Sequence, residues 1–329
     1  MILLQKTEHD EDAYAVVVEP KKPPKVTTIE HLLESAEEEQ GMFWVHLRLG
    51  APRTHEILDK LELDPLSREG IVSEEVRPQC LVRGEGALLT LFGFKEVPAI
   101  GASELSSLRL WVSAKKVITV WDQPLGVVRA LREDLELGAK LDGADDLVAQ
   151  LAMNLTDRAE EFVEILSDEI DELEDMVLEQ DNPPWESELA QVRRKATIIR
   201  RSMFIQRDAL RTFEIEEFKW VGHHARTLLR EAGDRFVRIG EEMDAIRERA
   251  EIVHDQLMYK RAENTNRYML TLAIIASIFL PLGLITGLLG INVGGIPGAN
   301  SSYGFITVCV ILAVLAVIQY WIIKYLKIF

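Results

Sequence analysis

In this 329-residue chain, the residues best suited to handling an ion lie near position 290. There Gly290-Ile291-Asn292 is followed by Val293-Gly294-Gly295-Ile296-Pro297-Gly298. An asparagine side chain offers a carbonyl oxygen and an amide without net charge. A ring of such groups can hydrogen-bond the water shell of a divalent ion without stripping it, whereas a ring of carboxylates would hold the ion too tightly to release it. The surrounding glycines and proline end a helix and let the chain turn. As spacing alone, Gly-x-Asn at a helix end is equally an ordinary cap.

A second set of ion-attracting residues recurs every seven positions: Asp234, Glu241, Glu248 and Asp255, with Asp244 and Glu251 beside them. On a helix such a stripe can line an acidic funnel that concentrates cations. The solvated outer face of a coiled coil has the same pattern. Histidines are less promising. His223 and His224 are neighbours that point apart on a helix, and His254 shares a surface with Glu251 and Asp255, but no further His or Cys completes a zinc set. His31, His46 and His55 are scattered and receive no role. The two cysteines, Cys80 and Cys309, can build neither a disulfide framework nor a thiolate zinc site. No Gly-Lys-Ser/Thr phosphate loop and no Ser-His-Asp or Cys-His arrangement is present, so ATP-driven pumping and enzymatic activity are not expected. No cofactor is expected either, a metal ion being cargo.

The elements that must position these residues follow from the charge distribution. Residues 264–329 contain no Asp or Glu and three basic residues, so the net charge of −17 divides into −20 for residues 1–263 and +3 for the remainder. An acidic front part attracts cations and repels nucleic acid. The opening MILLQKTEHDED has too short an apolar stretch for a signal peptide, and no secretion is expected. Residues 268–289 and 303–323 are uncharged runs of 22 and 21 residues, each enough to cross ~30 Å of hydrocarbon as a helix. The loop between them, 290–302, has no charge, while Lys260, Arg261 and Arg267 precede the first span and Lys324 and Lys327 follow the second. The positive-inside rule then places both ends in the cytoplasm. Two helices enclose no lumen, so a conducting path requires several subunits. In the first span Ala276, Gly283, Gly287 and Gly290 recur at helical spacing, a face that can pack tightly or line a pore. Pro281 is expected to kink this helix or free a carbonyl.

Ahead of the spans, residues 1–143 read as an α/β domain. Strands are expected over 14–18, 43–49, 79–82, 87–92, 108–112 and 117–121, and helices over 28–39, opened by a Thr28 cap, and 53–61. Residues 144–267 read as helical stalk. Leu147, Leu151, Leu155, Phe162, Ile165 and Leu173 form one apolar face, broken at Asn182-Pro183-Pro184. Heptad frames follow in Leu189, Val192, Ala196, Ile199, Met203, Leu210 and Phe213, interrupted by Gln206, and in Phe236, Ile239, Met243, Ile246, Ala250, Val253 and Leu257. Nothing after Gly240 stops the last of these, so one helix is expected from about His224 to Leu289.

A long acidic α/β and helical domain, an unbroken stalk entering the first of two C-terminal spans, Gly-x-Asn at its end and a short loop together resemble the CorA superfamily of metal ion transporters. Ile291 at the centre of the motif, and the lack of an acidic residue between Asn292 and Ser302, make GINVGGIPG similar to the zinc-transporting branch of that superfamily rather than to its magnesium-transporting members. The resemblance implies an α+β membrane protein assembled as a funnel-shaped homopentamer in the inner membrane, carrying Zn²⁺ and tolerating other divalent ions. Carried onto matching positions, it implies a pore face of Asn266, Met269, Leu272, Ala276, Leu280, Gly283 and Gly287, with Gly290, Ile291 and Asn292 as the outer selectivity ring. A Mg²⁺, Co²⁺ or Ni²⁺ channel of the same fold is the nearest alternative. A membrane-anchored coiled-coil scaffold or sensor is the alternative from another class.

Overall fold

The computed structural model describes residues 13–19, 22–35, 41–73, 77–95, 105–179, 185–291, 296 and 301–325. A seven-stranded mixed sheet forms first. Its strands are β1 (Ala13–Val18), β2 (Lys25–Thr27), β3 (Met42–Arg48), β4 (Gln79–Arg83), β5 (Gly86–Phe94), β6 (Leu105–Val112) and β7 (Lys116–Trp121), in the order β2-β1-β3-β7-β6-β5-β4. All neighbours are antiparallel except β3 and β7, which run parallel with Val45 opposite Ile118. Valine, isoleucine and aromatic runs favour these strands, and the β5 sequence GALLTLFGF is buried over most of its length because both sheet faces are covered. The β4–β5 hairpin turns at Gly84, whose φ of 57° is the left-handed conformation glycine adopts without strain.

One face packs Ala15, Val17, Val45, Leu47, Leu88, Ile118 and Val120 against three short helices: α1 (Ile29–Ser35), α2 (Thr54–Lys60) and α3 (Pro65–Val72). The expected Thr28 cap is present, its Oγ1 accepting from the His31 N–H at 3.4 Å. Helix α3 and strand β2 were not expected from the sequence. Yet α3 carries a readable start: Asp64 at the N-cap accepts from the Ser67 N–H at 3.0 Å, and Pro65 occupies the first turn.

The other face holds Tyr14, Trp44, His46, Thr119 and Trp121. Trp44 Nε1 donates to Thr119 Oγ1 at 2.8 Å, and His46 Nδ1 shares that hydroxyl at 2.6 Å. His46 is thus a buried part of the sheet, 6% exposed. Burial, helped by the positive charge of Arg132, pushes its imidazole down to about 3.

Four further helices are α4 (Gly126–Glu136), α5 (Ala144–Glu179), α6 (Glu186–Ile215) and α7 (His223–Gly290), and the described chain closes with α8 (Gly304–Tyr325). The described residues divide into two compact units, one drawn from residues up to 175 and 185–254, the other from 176–184 and 255–329. In the first unit, Gly93 lets α5 approach β5 closely: a Cβ there would lie 2.7 Å from Leu155 Cδ2. Both heptad frames are buried, every named residue of α6 and α7 being 4% exposed or less. The frame expected for α5 needs correction. Ile165 is 56% exposed, and the buried line runs through Val163, Leu166, Ile170 and Leu173, because the helical repeat places residue 166 and not 165 beneath Leu155 and Ala159. The break at 182–184 lies outside the described residues.

Gln206, the interruption in the α6 frame, is completely buried, and its Oε1 accepts from the Phe92 N–H at 2.7 Å. β4 begins opposite Thr90, so no residue of β4 pairs with Phe92 on that side. Gln206→Leu should leave that N–H buried and unpaired, costing about 1–3 kcal/mol. Chemical denaturation read by tryptophan fluorescence checks this, and an unchanged midpoint would contradict it.

Candidate functional site

Helix α7 continues for 68 residues to Gly290 and stays helical through Pro281. Thr265, Thr271 and Thr286 bond back to carbonyls three or four residues earlier, so the hydroxyls of Thr271 and Thr286 are satisfied within the apolar span. Among the described residues, two segments are long and apolar enough to cross a membrane, with mean hydropathy 2.4 in α7 and 2.6 in α8.

Within the second unit, α7 has two contrasting sides. Ile274, Ile278, Pro281, Leu282 and Ile285 are half-buried, as are Val308, Leu312, Leu315, Ala316 and Gln319 of α8, while Ile323 is buried. The Gln319 amide reaches the Ser277 carbonyl at 3.4 Å, which places α8 on this side. Met269, Leu272, Ala276, Leu280, Gly283, Gly287 and Gly290 are all exposed. At 3.6 residues per turn these two sides are roughly 170° apart. Asn266 is exposed as well, roughly 80° off the line of the others on a straight helix. A Cβ added at Gly283, Gly287 or Gly290 would meet nothing within 4 Å, so the small residues do not pack the hairpin. Gly290 is the last helical residue and Ile291 follows it exposed. Asn292, the centre of the expected selectivity ring, lies outside the described residues.

The acidic residues of the stalk divide into two groups. Asp234, Glu241 and Glu248 are exposed on α7. Asp244 is instead half-buried and paired with Arg200 of α6 at 2.7 Å and Arg247 at 3.1 Å. Partial burial opposes its ionisation, but the two arginines outweigh it and hold the carboxyl below the usual range. Glu251 lies 3.9 Å from Arg247. Asp255, in the second unit, is exposed. Asp244 and Glu251 are thus already partly neutralised by arginine.

Two arginines on the same helix bind it to α5. Arg235 contacts Asp157 and Glu160 at 2.5 Å each, and Arg249 contacts Asp171 at 2.5 Å and Glu174 at 2.7 Å. Bridges to Glu160 and Asp157 raise Arg235 above the normal guanidinium range, so it stays charged at any working pH.

No group of three or more His, Cys, Asp or Glu side chains able to hold a metal occurs among the described residues. His223 and His224 are exposed, and His254 is half-buried beside Leu189, Ala190 and Arg193 of α6. Burial pushes the Cys80 thiol up to about 12, which keeps it protonated at neutral pH. The residue missed from sequence is Gln319. Its signal was a single amide in an apolar helix, together with a proline in the helix it faces.

Comparison with known proteins gives the same picture over almost the whole chain. Residues 39–325 match the profile of the CorA-like Mg²⁺ transporter protein family. The zinc transport protein ZntB of Yersinia pseudotuberculosis is 30% identical over 282 residues, covering 85% of this chain and 86% of that one. The divalent cation transporter CmaX of Pseudomonas aeruginosa is 33% identical over 287 residues, 86% of each chain. The solved structure of a full-length CmaX protein superposes with a TM-score of 0.80 at 31% identity, covering 95% of this chain and 97% of that one. An α/β domain, a long helix and an apolar C-terminal helix are thus shared with a family of transporters. The chain belongs to the CorA-like Mg²⁺ transporter family.

Proposed function

We propose that this chain is the subunit of a homopentameric divalent-cation transporter of the inner membrane, with α7 and α8 both crossing the bilayer, both termini cytoplasmic and Zn²⁺ as its principal cargo. One observation carries the reading. The stripe from Met269 through Gly290 is exposed and faces away from α8, and among the described residues a Cβ on Gly283, Gly287 or Gly290 would meet no neighbour, although these are the smallest residues of the span. In lipid, exposed glycines at this spacing have two uses, to let another helix approach or to leave room for a hydrated ion. Repeated around a ring, the same face does both, bordering its neighbours at the edges and a water-filled path at the centre.

Gly290, Ile291 and Asn292 form the outer ring in this reading. The Asn292 amides bind the ion through its hydration water, because a divalent cation gives up that water reluctantly. No carboxylate lies between Asn292 and Ser302 to bind it more tightly. The exposed Asp234, Glu241, Glu248 and Asp255 raise the cation concentration at the cytoplasmic end, and lipid surrounds α8. Support for zinc comes from Ile291, from the loop without acid and from the naming of the ZntB relative. Mg²⁺, Co²⁺ and Ni²⁺ channels of the same fold are the readings to exclude, given that the family is named for Mg²⁺ and CmaX for divalent cations in general.

The test is dye-reported Zn²⁺ entry into proteoliposomes, with and without a pH gradient and with Mg²⁺, Co²⁺ and Ni²⁺ as competitors. Asn292→Ala should lower flux about ten-fold with assembly intact, the loss expected for one ring of hydration-shell hydrogen bonds. Mg²⁺ flux indifferent to Zn²⁺ would overturn the choice of cargo. Flux unaffected by Asn292→Ala would favour a membrane-anchored scaffold.

A further inference from the structure

In an α-helix the N–H of residue 281 would bond the carbonyl of residue 277. Residue 281 is proline, which has no N–H, so the Ser277 carbonyl loses its helical donor. In a bilayer no water replaces that donor, and an unsatisfied backbone group there costs several kcal/mol. The structure supplies a substitute from the other helix: Gln319 Nε2 of α8 donates to the Ser277 oxygen at 3.4 Å. The direction is dictated by chemistry, since a carbonyl only accepts and the amide must turn its NH₂ toward it. Gln319 is the sole carboxamide in α8, otherwise an almost wholly apolar helix. Its Oε1 is buried with no hydrogen-bond partner among the described residues, a cost the residue bears in lying where it does.

We infer that Gln319 is a positioning residue for the conducting helix, holding α7 at its proline break by replacing the hydrogen bond that Pro281 removes. This deepens the transporter reading and rests on it for its consequence. Gly283, Gly287 and Gly290 all follow the break, so the bond sets the angle at which the outer half of the proposed pore wall leaves the inner half. A gap in the helical ladder closed from α8 holds the helix at one angle, whereas an open gap leaves a hinge.

Four proteins test it: the native chain, Gln319→Met, Pro281→Ala and the double variant. Methionine keeps the length and volume of glutamine without the donor. Alanine at 281 restores an N–H to Ser277, making Gln319 dispensable. In the native background Gln319→Met should lower the thermal midpoint of the assembled protein by roughly 2–4 °C, the scale of one membrane hydrogen bond. Flux should fall about five-fold or more as the outer wall loses its set angle. In the Pro281→Ala background the same substitution should leave the midpoint within about 1 °C.

Should Gln319→Met fail to assemble alone yet assemble with Pro281→Ala, the coupling is demonstrated directly. Equal losses in both backgrounds, or no loss in the native one, would overturn the inference. The midpoint does not depend on ion movement. If no form conducts but the midpoints couple, the transport reading fails and this bond stands. If the native chain conducts and the losses add, the reverse holds.

Discussion

Gly287→Leu should abolish ion flux, by about a hundred-fold or more, while leaving the oligomer and the sheet unit intact. Gly287 lies on the face of α7 opposite α8, and a Cβ there meets nothing within 4 Å, so the isolated chain accommodates a larger side chain freely. Leucine is also the better helix former, by about 0.8–1 kcal/mol. The damage arises only in the ring, where five isobutyl groups narrow the path and line it with hydrocarbon. A hydrated divalent ion cannot pass such a constriction, because it dewets. Gly287→Ala should retain most of the flux, since a methyl group narrows the path far less. Proteoliposome flux with a size measurement on the same preparation separates the outcomes. Loss of flux with loss of the oligomer would mean the glycines pack subunits together, and full flux with leucine present would mean this face does not line the path.

The second large effect concerns stability against pH. His46 has a folded-state imidazole held at about 3 by burial, against an ordinary value of 6.5. Below 6.5 the unfolded chain therefore binds a proton that the folded chain refuses. Its contribution is fully present above that pH and is lost as pH falls toward 3, at up to about 1.4 kcal/mol per pH unit. Between pH 6.5 and 5 the loss approaches about 2 kcal/mol, or roughly 4–8 °C in the melting of the sheet unit. His46→Gln cannot titrate, and it retains a group able to meet the Thr119 hydroxyl. The difference in slope between native and variant proteins isolates the histidine from the many carboxylates, and identical slopes would contradict its burial as a neutral imidazole.

Much of this organisation is legible in the sequence. Alternation and β-branched residues marked six of the seven strands, and the heptads of α6 and α7 were read residue for residue because long periodic helices average out local exceptions. Errors arose where the signal was short or one residue decided it. β2 is three residues long, too short for a period to appear. In α5 the choice of Ile165 over Leu166 moved a residue from the core to the surface, since both are apolar and a single step turns the helix by roughly 100°. Gln206 looks like a flaw in a seam and is instead the partner of a strand N–H that β4 starts too late to reach. His46 received no role because histidine carries no burial signal of its own.

At the candidate site, spacing alone identified the small-residue face of α7 and could not say what it opposes. That required the position of α8. The acidic stripe was legible as a pattern, but its division into exposed Asp234, Glu241 and Glu248 and arginine-paired Asp244 was not, because Arg200 comes from another helix. Pro281 is legible as a residue that kinks its helix or frees a carbonyl, and the helix continues through it. The residue that meets that carbonyl lies 42 positions away, a distance no local pattern bridges.

All of the transport account requires α7 from several chains to enclose a common axis. The most direct test is the mass of the purified full-length protein in lipid nanodiscs, measured without crosslinker. Five copies per particle is the result the account predicts. A single copy in nanodiscs and in mild detergent alike would leave the glycine face without neighbours and the ion without a path.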